Sequence, residues 1–261
     1  MNRLKAKSDT DVSVELRGAV SPESVEYART KLLAVIERLG EPVLAARVKL
    51  TQEPNHAVIR PALAQAVVDL AGRPVRAHVA ATTMNEAVDL LKDRLNARLA
   101  RVRHHREAHR HDSPEAGSHS WYDGAGHEHR PQRRGRAARE RRIVRRKSYS
   151  LPRQSAFAAA FEMEAMDYDF HLFTDAASGH DSLVYRDERT GGHRVASADL
   201  TTSARSGPGD APTPRLAVAE AVSRIDLTGL PFVFFTDTAT GRGNVLYHRY
   251  DGHYGLITPA Q

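Results

Sequence analysis

The hydrophobic pattern of the first hundred residues switches between strand and helix periods. Residues 11–20 alternate apolar and polar side chains, and Ser21 then caps a helix with an apolar stripe from Val25 to Leu39. Three further alternating segments predict strands: residues 43–50, 62–70 and 75–80. A second helix is predicted over residues 84–103, with Thr83 as its cap. The order β-α-β-β-β-α predicts an α+β fold in which two helices cover one face of a four-stranded sheet.

The C-terminal third of the chain contains the same pattern twice. Residues 152–185 align with residues 214–247 at an offset of 62 without a gap, and ten of the 34 positions are identical. The shared motif, Phe-x-x-Phe-Thr-Asp-x-Ala-x-Gly-x5-Tyr, spans Phe170–Tyr185 and Phe232–Tyr247. Each copy predicts a helix, an aromatic strand, a tight turn closed by glycine and a second strand. So small a unit exposes one face of its sheet, so the other copy is the expected partner.

Between these regions the hydrophobic period is lost and His, Gly, Arg and Ser accumulate, which predicts a flexible linker. The predicted parts are an N-terminal domain (10–106), the linker (107–140), C-terminal repeat one (141–198), a connector (199–213) and repeat two (214–261). We expect the two tandem α+β repeats to form an intramolecular pseudo-dimer, because repeated units of one chain can pair with each other.

The net charge of +6 is concentrated in one segment. Arg130–Lys147 contains ten Arg or Lys residues and one Glu, so the remainder of the chain is close to neutral. Such a segment indicates a polyanionic partner such as nucleic acid, and the alternative is a solvated linker. The second predicted helix adds a row of basic or titratable residues at spacings of four, three and four: Arg94, Arg98, Arg101 and His105.

Several classes of function are not expected from this sequence. It has no cysteine, which excludes disulfides, thiolate metal sites and a catalytic thiol and fits a cytoplasmic location, and no apolar run approaches the ~20 residues that span a membrane. His105, His109 and His111 lack the partners of a metal site, so we expect no metal. Ser178, His180 and Asp181 lie in a predicted turn, and the second copy has Thr240, Arg242 and Gly243 there. We therefore expect no catalytic residues, no cofactor, no small-molecule substrate and no enzymatic activity.

Two sets of residues resemble a known family. Residues 84–99 and the Glu53-Pro54 turn resemble the N-terminal domain of the ribosome hibernation factors, the ribosome-associated translation inhibitors. Ile143–Lys147 and Asn244–Pro259 resemble the start and the end of the C-terminal domain of long-form hibernation promoting factor. Here repeat one keeps the start, repeat two keeps the end, and Arg194–Ser197 replaces the end motif in repeat one. A duplicated C-terminal domain in an Arg-rich chain is similar to the mycobacterial members made under hypoxia.

The resemblance implies a binding site for the N-terminal domain. In the family this domain occupies the decoding channel of the small subunit within the intact ribosome, where messenger and transfer RNA bind. Arg94 and Arg101 match basic positions of the family, whereas Arg98 falls where a polar residue is common. The predicted contacts to ribosomal RNA are Lys31, Lys49, Arg94, Arg98, Arg101, Arg103, His105, Arg133, Arg134 and Arg136.

The resemblance also implies that the C-terminal domain of the usual long form pairs with a copy from a second ribosome. A covalently attached second copy has an effective concentration on the order of millimolar, so we expect it to displace that partner. The predicted pairing residues are Phe170, Phe173, Tyr185, Phe232, Phe235 and Tyr247. The expected function is to hold single ribosomes inactive under stress or dormancy.

Two alternatives remain open at the level of the sequence. One is that the factor joins two ribosomes through its C-terminal domain. The other is a regulatory module that binds DNA or RNA through the basic arm, although Pro131 and Gly135 interrupt any recognition helix there.

Overall fold

The computed structural model describes residues 12–55, 58–110, 130–131, 133, 135–187, 192–198 and 213–260, without the side chains of 106–110. The chain divides into two compact units. The first comprises Met1–Gln132 with Glu164–Asp167, and the second comprises Arg133–Met163 with Tyr168–Gln261. Within the part of the chain that the structure describes, no helix is both long and apolar enough to cross a membrane.

The first unit confirms the predicted order of elements. Its sheet contains strands β1 (Val12–Arg17), β2 (Val43–Gln52), β3 (Ala62–Leu70) and β4 (Arg73–Ala81), in that order. Strand β1 runs parallel to β2, and the other neighbours are antiparallel. Every second residue of β3 is buried, from Ala62 to Leu70, as expected for a sheet with one face on the core.

Two helices cover that face. Helix α1 (Pro22–Glu37) is capped as predicted, because the N–H of Ser24 donates to Ser21 Oγ over 3.2 Å. Helix α1 packs against β1, β2 and helix α2 (Met84–Arg110), and α2 packs against β3 and β4. Helix α2 continues seven residues beyond its predicted end at 103. The apolar stripe ends at Val102, but the Arg, Glu and Ala residues that follow are good helix formers.

The second unit contains both repeats apart from Glu164–Asp167, which belong to the first unit. Repeat one comprises β6 (Arg153–Gln154), α3 (Ala156–Ala165), β7 (Phe170–Asp175), β8 (Asp181–Arg186) and β9 (His193–Ser197). Repeat two comprises β10 (Arg215–Leu216), α4 (Val218–Thr228), β11 (Phe232–Asp237), β12 (Gly243–His248) and β13 (Tyr254–Pro259). The strands pair in the same register in both, since Phe170 opposes Tyr185 and Phe232 opposes Tyr247. The offset of 62 found in the sequence is therefore also a structural offset.

Each repeat has its own apolar core between its helix and one face of its sheet. The core of repeat one includes Ala159, Met163, Phe173 and Val184. The equivalent positions of repeat two, Ala221, Ile225, Phe235 and Leu246, form the second core. Identical register and equivalent cores indicate that the two copies have the same fold, although most of their residues differ.

The turns between the paired strands are also repeated. Gly179 and Gly241 have φ angles of +75° and +68°, and their N–H groups donate to the carbonyls of Asp175 and Asp237 over 2.8 Å. Residues with side chains rarely adopt this conformation, so glycine closes each turn as predicted.

One strand connects the two ends of the duplicated region. Strand β5 (Ile143–Tyr149) precedes repeat one in the chain, yet it pairs in parallel with β13 of repeat two. The resulting five-stranded sheet has the order β10-β11-β12-β13-β5, and repeat one keeps the four-stranded sheet β6-β7-β8-β9. The start motif and the end motif, which the sequence divides between the copies, thus lie side by side in one sheet.

Candidate functional site

The basic row of α2 borders the buried face of that helix. A capping box starts the helix, because Glu86 N–H donates to Thr83 Oγ1 over 3.3 Å and the Glu86 carboxylate accepts from Thr83 N–H over 3.4 Å. The predicted apolar stripe is buried: Ala87, Leu91, Leu95, Leu99 and Val102. Residues four apart are neighbours on a helix surface, so Arg94 and Arg98 extend into the same region.

Arg94 and Arg98 both donate to the carboxylate of Asp167. Arg94 makes a bidentate contact, with Nε 3.0 Å from Oδ2 and Nη2 2.9 Å from Oδ1. Nη2 of Arg98 and Nη2 of Arg130 donate to Oδ1 over 2.7 and 3.1 Å. The backbone N–H of His78 donates to Oδ2 over 2.9 Å. Three guanidinium groups and one backbone N–H thus surround a single oxyanion.

This cluster is buried and keeps its carboxylate ionised. The Asp167 side chain is 2% exposed. Burial alone would raise the pKa of Asp167, but the charges of Arg98 and Arg94 outweigh burial and hold that pKa below its ordinary value. Burial, assisted by Arg76, lowers the pKa of His78 to about 3, so its imidazole is neutral at physiological pH. The surroundings of the carboxylate are strongly positive, as an oxyanion requires.

The other predicted RNA-binding residues of the first unit, His105 apart, each lie beside an acidic side chain. The pairs are Lys31 with Asp89 (2.9 Å), Lys49 with Glu15, Arg101 with Glu164 (3.8 Å) and Arg103 with Glu41 (3.3 Å). Hydrogen bonds to Tyr27 and Asp89 raise the pKa of Lys31 to about 12. The pairs of Lys31, Lys49 and Arg103 are partly exposed and contribute little in water, so phosphate groups can compete for these cations. Glu164, the partner of Arg101, is buried. His105 lies on α2, further along the same helix.

The predicted residues of the basic arm belong to the second unit. Arg133 Nη2 lies 3.5 Å from a carboxylate oxygen of Asp169, and the carbonyl of Arg136 accepts a hydrogen bond from Arg141 Nε over 2.8 Å. Arg134 lies outside the described residues. The predicted set therefore divides between the two units. Arg94 and Arg98 are the members that share a bound oxyanion.

Sequence reasoning did not single out Asp167 or Arg130 for this site. The carboxylate contacts residues 69 and 73 positions away, a separation that no local pattern reveals. The backbone conformation does mark Asp167: its φ is +53°, which is uncommon for a residue other than glycine. This angle is visible only in the structure.

Four of the six predicted pairing residues form an aromatic cluster. The rings of Phe170 and Phe232 lie 4.9 Å apart. Phe170 also meets Tyr247 at 5.7 Å, and Phe232 meets Tyr185 at 5.6 Å, both edge to face. Because Phe232 and Tyr247 are the equivalents of Phe170 and Tyr185, the last two contacts are reciprocal.

An apolar cluster containing residues of both repeats adjoins these rings. Its buried members are Leu172, Leu183, Phe234, Val245 and Ile257. The other two predicted pairing residues lie elsewhere, since Phe173 and Phe235 are on the opposite sheet faces, inside the separate cores. Side chains alternate along a strand, which explains why Phe170 and Phe173 point in opposite directions.

The residues considered for a catalytic triad serve the turn instead. Ser178 Oγ donates to Asp175 Oδ2 over 2.8 Å, and the N–H of Ser178 donates to the same oxygen. These bonds lower the pKa of Asp175. Asp181 accepts from Arg242. Among the described residues, no group of three His, Asp or Glu side chains could hold a metal ion; the side chains of His109 and His111 lie outside them.

Comparisons with known proteins identify related sequences. Residues 138–193 and 210–256 match the family described as Sigma 54 modulation/S30EA ribosomal protein C terminus. A dormancy associated translation inhibitor of Mycobacterium tuberculosis is 46% identical over 142 residues, which are 50% of this chain and 52% of that protein. A ribosome hibernation promotion factor of Bradyrhizobium diazoefficiens is 34% identical over 122 residues, 46% of this chain and 54% of that protein. The chain thus spans about half the length of the curated relatives it matches.

Among solved structures, the N-terminal domain of Thermus thermophilus Protein Y aligns with 36% of this chain and 99% of its own length, with 21% identity and a TM-score of 0.30. A ribosomal subunit interface protein from Coxiella burnetii aligns with 35% of this chain and 98% of its own length, with 18% identity and a TM-score of 0.29.

Proposed function

We propose that this protein is a ribosome hibernation factor, because the matched family and the two curated relatives support that resemblance. It binds the small subunit within the intact ribosome, in the cytoplasm, and keeps single ribosomes inactive under stress or dormancy. The N-terminal unit occupies the decoding channel and excludes messenger and transfer RNA. The repeats pair with each other within one chain, so the protein does not join two ribosomes.

The observation that carries the RNA-binding part is the oxyanion held by Arg94, Arg98 and Arg130. A carboxylate and a phosphate present similar pairs of charged oxygens, and the planar guanidinium group binds both in a bidentate way. Three such groups that already hold one carboxylate have the spacing to hold a backbone phosphate. Recognition through backbone phosphates suits folded RNA, which proteins read largely by shape.

The paired repeats are supported by the reciprocal contacts of the aromatic cluster. In an interface with twofold symmetry, a contact from residue i to residue j is accompanied by one from j to i. The contacts of Phe170 with Tyr247 and of Phe232 with Tyr185 have this form, with nearly equal distances. Equivalent rings, Phe170 and Phe232, meet each other, as residues on a symmetry axis do.

Strand β5 adds a second support for pairing within one chain. It leads into repeat one, but its hydrogen bonds go to β13 of repeat two. If the repeats separated, β5 would have to give up its hydrogen bonds to β13 or move away from the rest of repeat one, to which only residues 150–152 connect it. A covalently attached partner with this additional contact has a large advantage over a second chain at cellular concentrations.

Competition on purified small subunits tests the proposed blocking. We expect saturating protein to displace a labelled messenger fragment and a labelled P-site transfer RNA. An Arg101→Ala variant should need several-fold more protein, because Arg101 is half-exposed on α2. Arg17→Ala is the matched control, since Arg17 is exposed on the far strand β1. Undiminished binding of both RNAs at saturation would refute the proposed function.

A further inference from the structure

The contact between the repeats is asymmetric at one pair of equivalent positions, 181 and 243. Asp181 begins β8 and Gly243 begins β12, and they oppose Thr174 and Thr236 in the same register. The carboxylate of Asp181 accepts from the backbone N–H of Gly243 over 2.9 Å. It also accepts from Arg242 Nε over 2.7 Å and from Arg242 Nη2 over 3.1 Å. Repeat one thus supplies the acid, and repeat two supplies every donor of this contact.

The available space makes the contact specific. A Cβ atom on Gly243 would lie 2.8 Å from the Cβ of Asp181 and 3.0 Å from the ring of Phe234. Side chains do not approach this closely, so position 243 accepts only glycine while Asp181 faces it. The Asp181 side chain is 7% exposed. A buried carboxylate needs such a complete set of donors, because an unpaired buried charge is strongly destabilising.

The neighbouring apolar cluster has the same asymmetry. Leu172 and Phe234 are equivalent positions at the offset of 62. Leu183 opposes Ala196 across the sheet of repeat one, where Val245 opposes Ile257 in repeat two. Repeat one therefore contributes the smaller set of side chains and repeat two the larger. Two copies of repeat one would leave a cavity, and two copies of repeat two would be overpacked.

We propose that Asp181, Arg242 and Gly243 form a pairing lock, by which repeat one selects repeat two instead of a copy of itself. Two copies of repeat one would place one Asp181 against another, with His180 in place of Arg242. Two copies of repeat two would leave both Arg242 side chains without this carboxylate. The surface of repeat one thus fits repeat two and disfavours a second identical repeat. The inference rests on the proposed pairing within one chain and adds its selectivity.

Two full-length variants remove the lock in complementary ways. Gly243→Asp gives a chain with an acid at both positions, and Asp181→Gly gives a chain with glycine at both. Light scattering and melting curves are recorded for each variant, for their equimolar mixture and for the unaltered protein. We expect each variant to melt several degrees below the unaltered protein. The mixture should form a one-to-one complex, because the lock can be rebuilt between the two chains.

An exchange variant swaps the lock and the side chain beside it between the repeats: Leu172→Phe, His180→Arg, Asp181→Gly, Phe234→Leu, Arg242→His and Gly243→Asp. Phe234 is included because its ring would lie 3.0 Å from a Cβ atom at position 243. We expect the exchange variant to be monomeric and to regain most of the lost melting temperature. It also decides the case in which Gly243→Asp alone fails to fold. An exchange variant that melts no higher than the single variants would overturn the lock, as would single variants that melt like the unaltered protein.

Pairing within one chain and the lock are tested by different measurements. If the unaltered protein, prepared with two different tags, forms mixed dimers in solution, the proposed pairing within one chain is wrong. If the unaltered protein is monomeric and the exchange variant melts no higher than the single variants, pairing within the chain stands and the lock is overturned.

Discussion

At the scale of single residues, the most informative group is Asp167. Its carboxylate accepts hydrogen bonds from Arg94, Arg98 and Arg130, the arginines that the proposed function assigns to phosphate. An RNA phosphate must therefore displace or share this acid. The contact shows that these arginines hold an oxyanion, and in the proposed function it also limits the affinity for RNA.

Removal of this acid gives the first prediction. Asp167→Asn leaves three largely buried guanidinium groups without their shared carboxylate, so we expect it to lower the melting temperature. In the folded variant, binding to ribosomal RNA should strengthen by several-fold and its salt dependence should steepen, because more cationic groups become available to phosphate. Filter binding over a range of salt concentrations measures both. Asp169→Asn is the matched control, since Asp169 is half-exposed and pairs with Arg133. Equal affinities for the two variants would contradict this role of Asp167.

The second prediction concerns His78, which Arg76, Asp167, Arg94 and Arg130 face. Burial lowers the pKa of His78 in the folded protein to about 3, from an ordinary value of 6.5. Between these values the unfolded chain binds a proton that the folded chain does not. Stability should therefore fall as the pH decreases from about 6.5, by at most about 1.4 kcal/mol per pH unit.

Thermal unfolding between pH 7 and pH 4.5 tests this expectation. His78→Gln should reduce the loss of melting temperature on acidification, whereas His104→Gln, at an exposed position of α2, is the control. The lowered pKa of Asp167 acts in the same direction but at more acidic pH, because its ordinary value is 3.8. Identical pH profiles for His78→Gln and the unaltered protein would disprove the assignment.

At the scale of elements, local patterns predicted most of the structure. Alternation gave the four strands of the first unit, and Ser21 and Thr83 marked the helix starts correctly. Strands β9 and β13 were not predicted, because their segments are short and polar or glycine-containing. The pairing of β5 with β13 joins residues more than a hundred positions apart, which no local pattern can indicate. The Asp167 site was missed for the same reason.

Strand β13 gives the third prediction. Gly255 opposes Tyr247, and a Cβ atom there would lie 2.3 Å from the tyrosine ring. Gly255→Ala must displace Tyr247 from the aromatic cluster, so we expect the melting temperature to fall by roughly 4–10 °C. Gly135→Ala is the control, because nothing lies within 4 Å of its Cβ position. Equal melting temperatures for the two variants would show that the cluster does not depend on this ring.

At the scale of the whole molecule, the basic arm should add affinity without defining the site. Arg139, Arg142, Arg145 and Arg146 are exposed. Replacement of all four by Gln should lower the slope of log K against log salt by up to roughly 3, since each lost phosphate contact removes about 0.7–0.9. The control changes four exposed arginines outside the arm, Arg17, Arg73, Arg215 and Arg224. An unchanged slope for the arm variant would argue against its contact with RNA.

In the proposed pairing, the selectivity of the repeats determines what the bound protein does to ribosomes. A repeat that is covered by its neighbour in the same chain does not present that surface to a second chain, so the proposed duplication converts a dimerising domain into a closed one. The sequence alone indicated the duplication and led to the expectation that the repeats pair, through the offset of 62. It could not indicate the asymmetric contact at Asp181, because a difference between Asp181 and Gly243 looks the same as the many other differences between the two copies.

The most direct test is low-salt sucrose-gradient sedimentation of purified ribosomes with and without the protein, with each fraction probed for it. We expect the protein to migrate with intact single ribosomes and to leave the amount of ribosome dimer unchanged. Accumulation of ribosome dimers would contradict pairing within one chain, and protein confined to the top of the gradient would contradict ribosome binding itself.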